Sequence, residues 1–266
     1  MGRGTDQCRL HRVMVKQLLI SISLSLSAFG QAFTFADVAG AANFTAAAAG
    51  GAAPTVTLVG ADVVNDDAQG TSVATDTGIN VSSGDVIIVI GGGASDVDIT
   101  CASSPSVGTF TEVRDSWDSG NAYKTAIFRL VATSSQTGVI FTLTFGSSSL
   151  FRAVGAAVFN TSSGTFAFDN TTSQGTAGIL NSTSTSRTSA NMTTAVADSL
   201  LVGLGMDWDG TTHTGANSYA IAFDGTTPFL LWKQVASTGS HPGGNFSTVN
   251  PTDKYFGDFI AYSINP

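Results

Sequence analysis

Two acid pairs stand out among the residues able to do chemistry. Asp96-Val97-Asp98 and Asp207-Trp208-Asp209 each carry two carboxylates at the two-residue period of a strand, so both acids share one face. A calcium ion takes about six to eight oxygens drawn from several loops, so neither pair makes a site alone. Acid–base work would need a second group or a pocket to raise one carboxyl pKa, and the spacing supplies neither. The pairs read as solvated strand ends. Histidine offers less: His11, His213 and His241 have no ligand-spaced partner, so no metal or catalytic role is expected. No Gly-x-Ser-x-Gly elbow occurs, and no Gly-rich loop opens a helix to cradle phosphate. Gly91-Gly92-Gly93 follows an apolar run and precedes Ala94-Ser95-Asp96, which reads as a bend or bulge. Cys8 and Cys101 sit at no metal or redox spacing, and two cysteines cannot build a disulfide scaffold. The expectation is a non-enzymatic protein with no catalytic residue, cofactor or metal.

Aromatic residues carry more weight. Trp117, Tyr123, Trp208, Tyr219 and Trp232 fall in or beside predicted loops, near Asp115, Asp118, Asn121, Asp207 and Asp209. A flat ring stacks on the apolar face of a sugar while nearby carboxylates and amides take its hydroxyls. Trp117, Asp118, Tyr123, Trp208 and Asp209 are therefore the candidate glycan contacts, against the plainer reading that the rings are structural. Trp232 alternates into an apolar strand and is expected in the core. Seven Asn-x-Ser/Thr triplets occur, at Asn43, Asn80, Asn160, Asn170, Asn181, Asn191 and Asn245. Turn chemistry accounts for most of them.

The elements that must position these residues follow from composition. Gly, Ser and Thr (30, 31 and 34) make 95 of 266 residues, while Glu occurs once and Lys four times. Helix formers are scarce and strand and turn residues abundant, and 42% apolar content is enough for a core. Short apolar runs at 55–64, 85–91, 97–101, 109–114, 123–132, 139–145, 151–160, 199–206, 218–223, 229–236 and 255–264 predict strands between polar turns. Their spacing predicts an all-β fold: an antiparallel β-sandwich or jelly roll over 55–266. A faint internal echo runs through it. Gly84-Asp85-Val86-Ile87-Ile88-Val89 matches Ala197-Asp198-Ser199-Leu200-Leu201-Val202, and Ile127–Ala132 matches Leu231–Ala236. Val154–Asn160 likewise matches Phe259–Asn265. The offsets are 113, 104 and 105 residues, which suggests two pseudo-repeated strand sets.

Residues 1–54 differ in kind. The first 16 hold Arg3, Arg9, Arg12 and Lys16 against Asp6, a net of +3, while the other 250 residues carry −11. An apolar stretch, Leu18 to Phe29, then ends in Gly30-Gln31-Ala32. Two readings fit. Positive start, apolar run and small residues suit a secretory signal peptide cut after Ala32. Alternatively, Ile20, Ile22, Leu24 and Leu26 alternate with serine at strand period, an arm able to add to a neighbour's sheet edge. The run is too short for a membrane-spanning helix, which needs about 20 apolar residues. Residues 33–54, with their Ala/Gly-rich stretch, read as a joint or packed extended arm. The acidic, Lys-poor remainder argues against a nucleic-acid partner.

One resemblance joins these segments. Ser83-Gly84-Asp85-Val86-Ile87-Ile88-Val89, Thr109-Phe110-Thr111-Glu112-Val113 and Ala126–Ala132 are followed by Phe141–Phe145, Arg152–Ala156 and Asp198–Val202. That order resembles β-sandwich domains of phage virion proteins and of secreted bacterial surface proteins. Phe110 stands where a Trp is common there, and Cys101-Ala102-Ser103-Ser104-Pro105 is a thinner form of the usual Pro-rich turn. The resemblance implies display or binding: a head decoration or fibre subunit on a virion surface, often a homo-oligomer, held by its arm to other subunits. The alternative it implies is an extracellular adhesion module on a cell surface. Host glycans are the ligand class expected in either case. Trp208→Ala is then expected to abolish retention on a glycan column while leaving the melting curve almost unchanged; equal retention would remove Trp208 from the site.

Overall fold

The computed structural model describes residues 52–118, 122–169, 178–181, 186–188, 191–207, 214–215, 217–225, 227–242, 245–247 and 254–265, with two short strands at 32–33 and 46–47. The chain divides into two compact units, Met1–Ala53 and Pro54–Pro266. In the first, β1 (Ala32–Phe33) pairs antiparallel with β2 (Ala46–Ala47). Ile20, Ile22, Leu24 and Leu26 lie outside the described residues.

The second unit is built from antiparallel strands. Its first half holds β3 (Val56–Asp66), β4 (Gly70–Ala74), β5 (Ile79–Val81), β6 (Val86–Gly93) and β7 (Ile99–Ser104). It continues with β8 (Thr111–Asp118), β9 (Tyr123–Val131), β10 (Gln136–Ser149) and β11 (Arg152–Thr161). The principal sheet runs β3-β11-β6-β9-β8, and β10 pairs with β4, β5 and β7 in a covering sheet. The second half holds β12 (Thr165–Phe168), β13 (Gly178–Asn181), β14 (Ser186–Thr188), β15 (Met192–Thr194) and β16 (Ser199–Asp207). After these come β17 (Thr214–Gly215), β18 (Ala220–Asp224), β19 (Pro228–Val235), β20 (Gly239–His241), β21 (Asn245–Ser247) and β22 (Lys254–Asn265). Its principal sheet runs β12-β22-β16-β19-β18, the same order strand for strand. The covering strands correspond too: β14-β21-β17 repeats β4-β10-β7, and β15-β20 repeats β5-β10. Two sandwiches of one topology follow each other in the chain.

Burial explains the apolar runs. All eight residues of β6 and all nine of β16 are buried, the mark of a strand covered on both faces. Val86, Ile88 and Ile90 share one core with Leu200, Val202, Leu204 and Met206, so the principal sheets pack face to face. Ile87 and Val89 point the other way, onto Val139, Phe141 and Leu143 of the first covering sheet. Leu201 likewise joins Met192, Phe229 and Leu231 on the far side of the second. Gly91 and Gly92 continue β6 instead of bending it. A Cβ on Gly91 would strike the Ala153 carbonyl oxygen, and one on Gly92 the Lys124 carbonyl oxygen. Only a strand without side chains lets its neighbours close in there.

The repeat sits at a different register from the sequence echo. Val86 lies beside Val131 and Phe159, and Leu200 beside Gln234 and Tyr262, giving offsets of 114, 103 and 103 residues. Gly84 at φ 94° thus corresponds to Asp198 at φ 55°. One position on, the Asp85 carboxylate accepts the Ser82 N–H at 2.8 Å, while Ser199 Oγ donates to the Val196 carbonyl at 2.9 Å. Each side chain reaches back three residues to close the same turn. Tyr262 is fully buried, and its hydroxyl makes no hydrogen bond of normal geometry although the Arg129 guanidinium lies near it. Burial pushes the phenol pKa up, opposed by the neighbouring Arg129 guanidinium. Tyr262→Phe is therefore expected to raise stability by about 1 kcal/mol, or roughly 2–4 °C in Tm. A lower melting midpoint would show that the hydroxyl contributes to the fold.

Candidate functional site: the β8–β9 end of the first sandwich

Three of the five candidate glycan contacts meet on one hairpin. Trp117 stands opposite Lys124 and Asp118 opposite Tyr123, at the tip joining edge strand β8 to β9. Directly paired residues share a face and successive residues alternate, so the hairpin separates these side chains. Trp117 is on the face of Lys124 and Asp115, and Tyr123, one residue before Lys124, is on the opposite face. A sugar stacked on one ring does not reach the other from the same side. Trp208 and Asp209 lie outside the described residues. Asp207 is fully buried, so it is no solvated strand end. Trp232 is half-buried and packs against the core, 5.5 Å from Phe159 between ring centroids. Tyr219 is also buried, with the Lys233 ammonium 5.8 Å from its ring centroid.

The Trp117 face gathers charge that sequence spacing hid. Lys124 Nζ lies 2.6 Å from Asp115 Oδ2 and 3.6 Å from Asp96 Oδ1, while Lys124 itself is 8% exposed. The Asp96–Asp98 loop is thereby drawn onto the hairpin. Backbone bonds hold it from the other side: Ala94 N–H donates to the Leu150 carbonyl and Gly146 N–H to the Asp98 carbonyl, both at 2.9 Å. The adjoining turn exposes Leu150 and Phe151, the latter at φ 50°. Burial lowers the Lys124 pKa, but the hydrogen bonds and charges of Asp115 and Asp96 outweigh it and raise the pKa overall. The ammonium stays charged and is no nucleophile. Partial burial raises the Glu112 pKa, reinforced by Asp115 and Asp98 and opposed by Lys124.

Trp117, the Asp115 and Asp96 carboxylates and the held Lys124 ammonium place a ring beside acceptors and a donor, the elements of a stacking surface. Among the described residues, no three His, Cys, Asp or Glu side chains converge as a metal site. Cys101 is half-buried and unpaired, and burial pushes its thiol pKa far up, which keeps it protonated. His241 Nε2 lies 3.0 Å from Thr194 Oγ1 and 3.1 Å from the Ser237 carbonyl, tying β15 to β20. His11 and His213 lie outside the described residues. Sequence reasoning missed Lys124. Its signal was faint: one of four lysines, placed directly after a tyrosine at a strand start.

The Glu112 shift gives a pH test. A carboxyl whose folded pKa is raised weakens the fold above that pKa, and the cost vanishes below the unfolded value of 4.5. Glu112→Gln is expected to raise Tm slightly at pH 7 and to leave it unchanged at pH 3.5. A gain of equal size at both pH values would rule out ionisation as the cause. No protein-family model, no curated protein and no solved structure matches the chain.

Proposed function

We propose that the chain is a non-enzymatic structural protein of a phage particle, a head decoration or fibre subunit anchored through its N-terminal arm. The observation that carries this reading is the change of character along the chain. A basic head and an alternating apolar–serine segment precede a compact, all-antiparallel unit that begins at Pro54. Strand addition needs an extended donor with one apolar face, and Ile20, Ile22, Leu24 and Leu26 supply one. The double sandwich is the displayed body. Its Trp117 face, with Asp115, Asp96 and Lys124, is the surface offered to a glycan.

A second reading rests on a different observation. The order of positive start, apolar run and Gly30-Gln31-Ala32 is that of a secretory signal. Removal after Ala32 would make the protein an extracellular surface or adhesion module carrying the same body. Intact mass of the native protein separates the two. A chain beginning at residue 33 establishes export; a chain retaining the basic head makes the arm part of the working structure. In that case, deleting residues 1–32 is expected to leave Tm within about 2 °C and to yield a monomer where the full chain assembles. Undiminished assembly by the shortened chain would overturn the arm.

A further inference from the structure

The two sandwiches meet in a manner that reads as an interface between copies. We propose that the face joining the principal sheets is a two-fold docking surface for a second sandwich of the same topology, and that this chain is such a pair fused end to end. In a two-fold contact, residue i of one copy touches j of the other, and j touches i. The repeat register lets that be checked residue by residue. Phe159 corresponds to Tyr262, and Arg129 to Trp232. Phe159 of the first half packs edge-on against Trp232 of the second, 5.5 Å between ring centroids. The reciprocal pair is present. Tyr262 of the second half has Arg129 of the first beside it, with the guanidinium 3.8 Å from the Phe168 ring that Tyr262 also packs against at 5.5 Å.

The middle of the face joins equivalent strands. β6 and β16 occupy equivalent places in their sheets, and their inward residues Val86, Ile88 and Ile90 meet Leu200, Val202 and Leu204. The two halves have diverged at the rim, where the first contributes Phe159 and Arg129 and the second Tyr262 and Trp232. The contact is continuous and apolar, with Gly155 leaving room for the Phe223 ring. Such a face is like a domain core cut in half, the character of a permanent rather than a passing association. The partner it fits is therefore another copy of this sandwich and not a peptide or a glycan. The covalent link between halves is the exposed turn Ser162-Ser163-Gly164 between β11 and β12.

A cut in that turn tests the idea on the full chain. A protease site is inserted between Ser163 and Gly164, the folded protein is cleaved, and the product is followed by sedimentation and by melting. The expected result is one species carrying both halves, whose Tm rises with protein concentration because unfolding now also dissociates the pair. The halves, separated in urea and mixed again, are expected to re-form the same species. Separation of the cut halves under native conditions would overturn the proposal, since the face would then not hold without the linker. Failure to re-form from urea, with the uncut chain refolding under the same conditions, would also overturn it, since the halves would not be modules.

Discussion

Two strands with no solvent-facing side impose the order of the whole unit. β6 and β16 are buried along their full length, so each needs a cover on both faces. A single sandwich covers one face of each sheet and leaves the other open. Packing principal sheet on principal sheet closes both openings at once, and the covering strands then need only finish the outer sides. That explains why the runs Val86–Ile90 and Leu200–Leu204 are continuous instead of alternating. It also explains why the outer strands alternate: β7 reads buried, exposed, half-buried, exposed along its length. Position in the stack decides the pattern.

Polar residues inside this stack are held where strands end. Arg152, 6% exposed at the start of β11, pairs with Asp66 at 2.5 Å and donates to the Ala68 and Ser72 carbonyls. The guanidinium fills space beside Gly70, where a Cβ would come within 2.5–2.8 Å of it. One side chain thereby fixes the whole β3–β4 connection. Asp85 does the same at the start of β6, accepting from Ser82 N–H at 2.8 Å and from Asn160 Nδ2 at 2.5 Å. Gln234 accepts from Val56 N–H at 2.9 Å and donates to the Pro54 carbonyl at 2.5 Å, linking the second half to the entry of the first. Buried polar groups are costly unless satisfied, so each of these also specifies register.

The sequence made the long strands legible because their apolar runs are long and their turns are marked by Gly, Ser, Asp and Asn. The run at 123–132 became β9, Tyr123–Val131, and 199–206 became β16, Ser199–Asp207. Short strands were not legible. Gly70–Ala74 and Ile79–Val81 have too few apolar residues to stand apart from loops, and they exist because β10 pairs with both. The internal repeat was visible but slipped, since matching residue types set Asp85 against Asp198. Facing decides otherwise: one residue of slip would turn Leu200 away from the shared core. The Trp117–Lys124 pairing was hidden for a related reason. β8 carries an irregularity between Glu112 and Arg114, and that extra residue determines which face Trp117 takes.

The same irregularity bears on what the exposed edge can do. β8 closes one side of the first principal sheet and has no strand on its outer flank among the described residues. An open edge invites strand addition, and charge together with a bulge is how such edges are kept single. β8 has both, with Glu112, Arg114 and Asp115 clustered at the bulge. Backbone recruitment along β8 is thus disfavoured. Lys124, paired with both Asp115 and Asp96, ties the end of β8 to the Asp96 loop. Asp115 thus belongs both to the charged, bulged edge and, through Lys124, to the link with the Asp96 loop, so the residues that keep β8 single also tie it to the sheet behind.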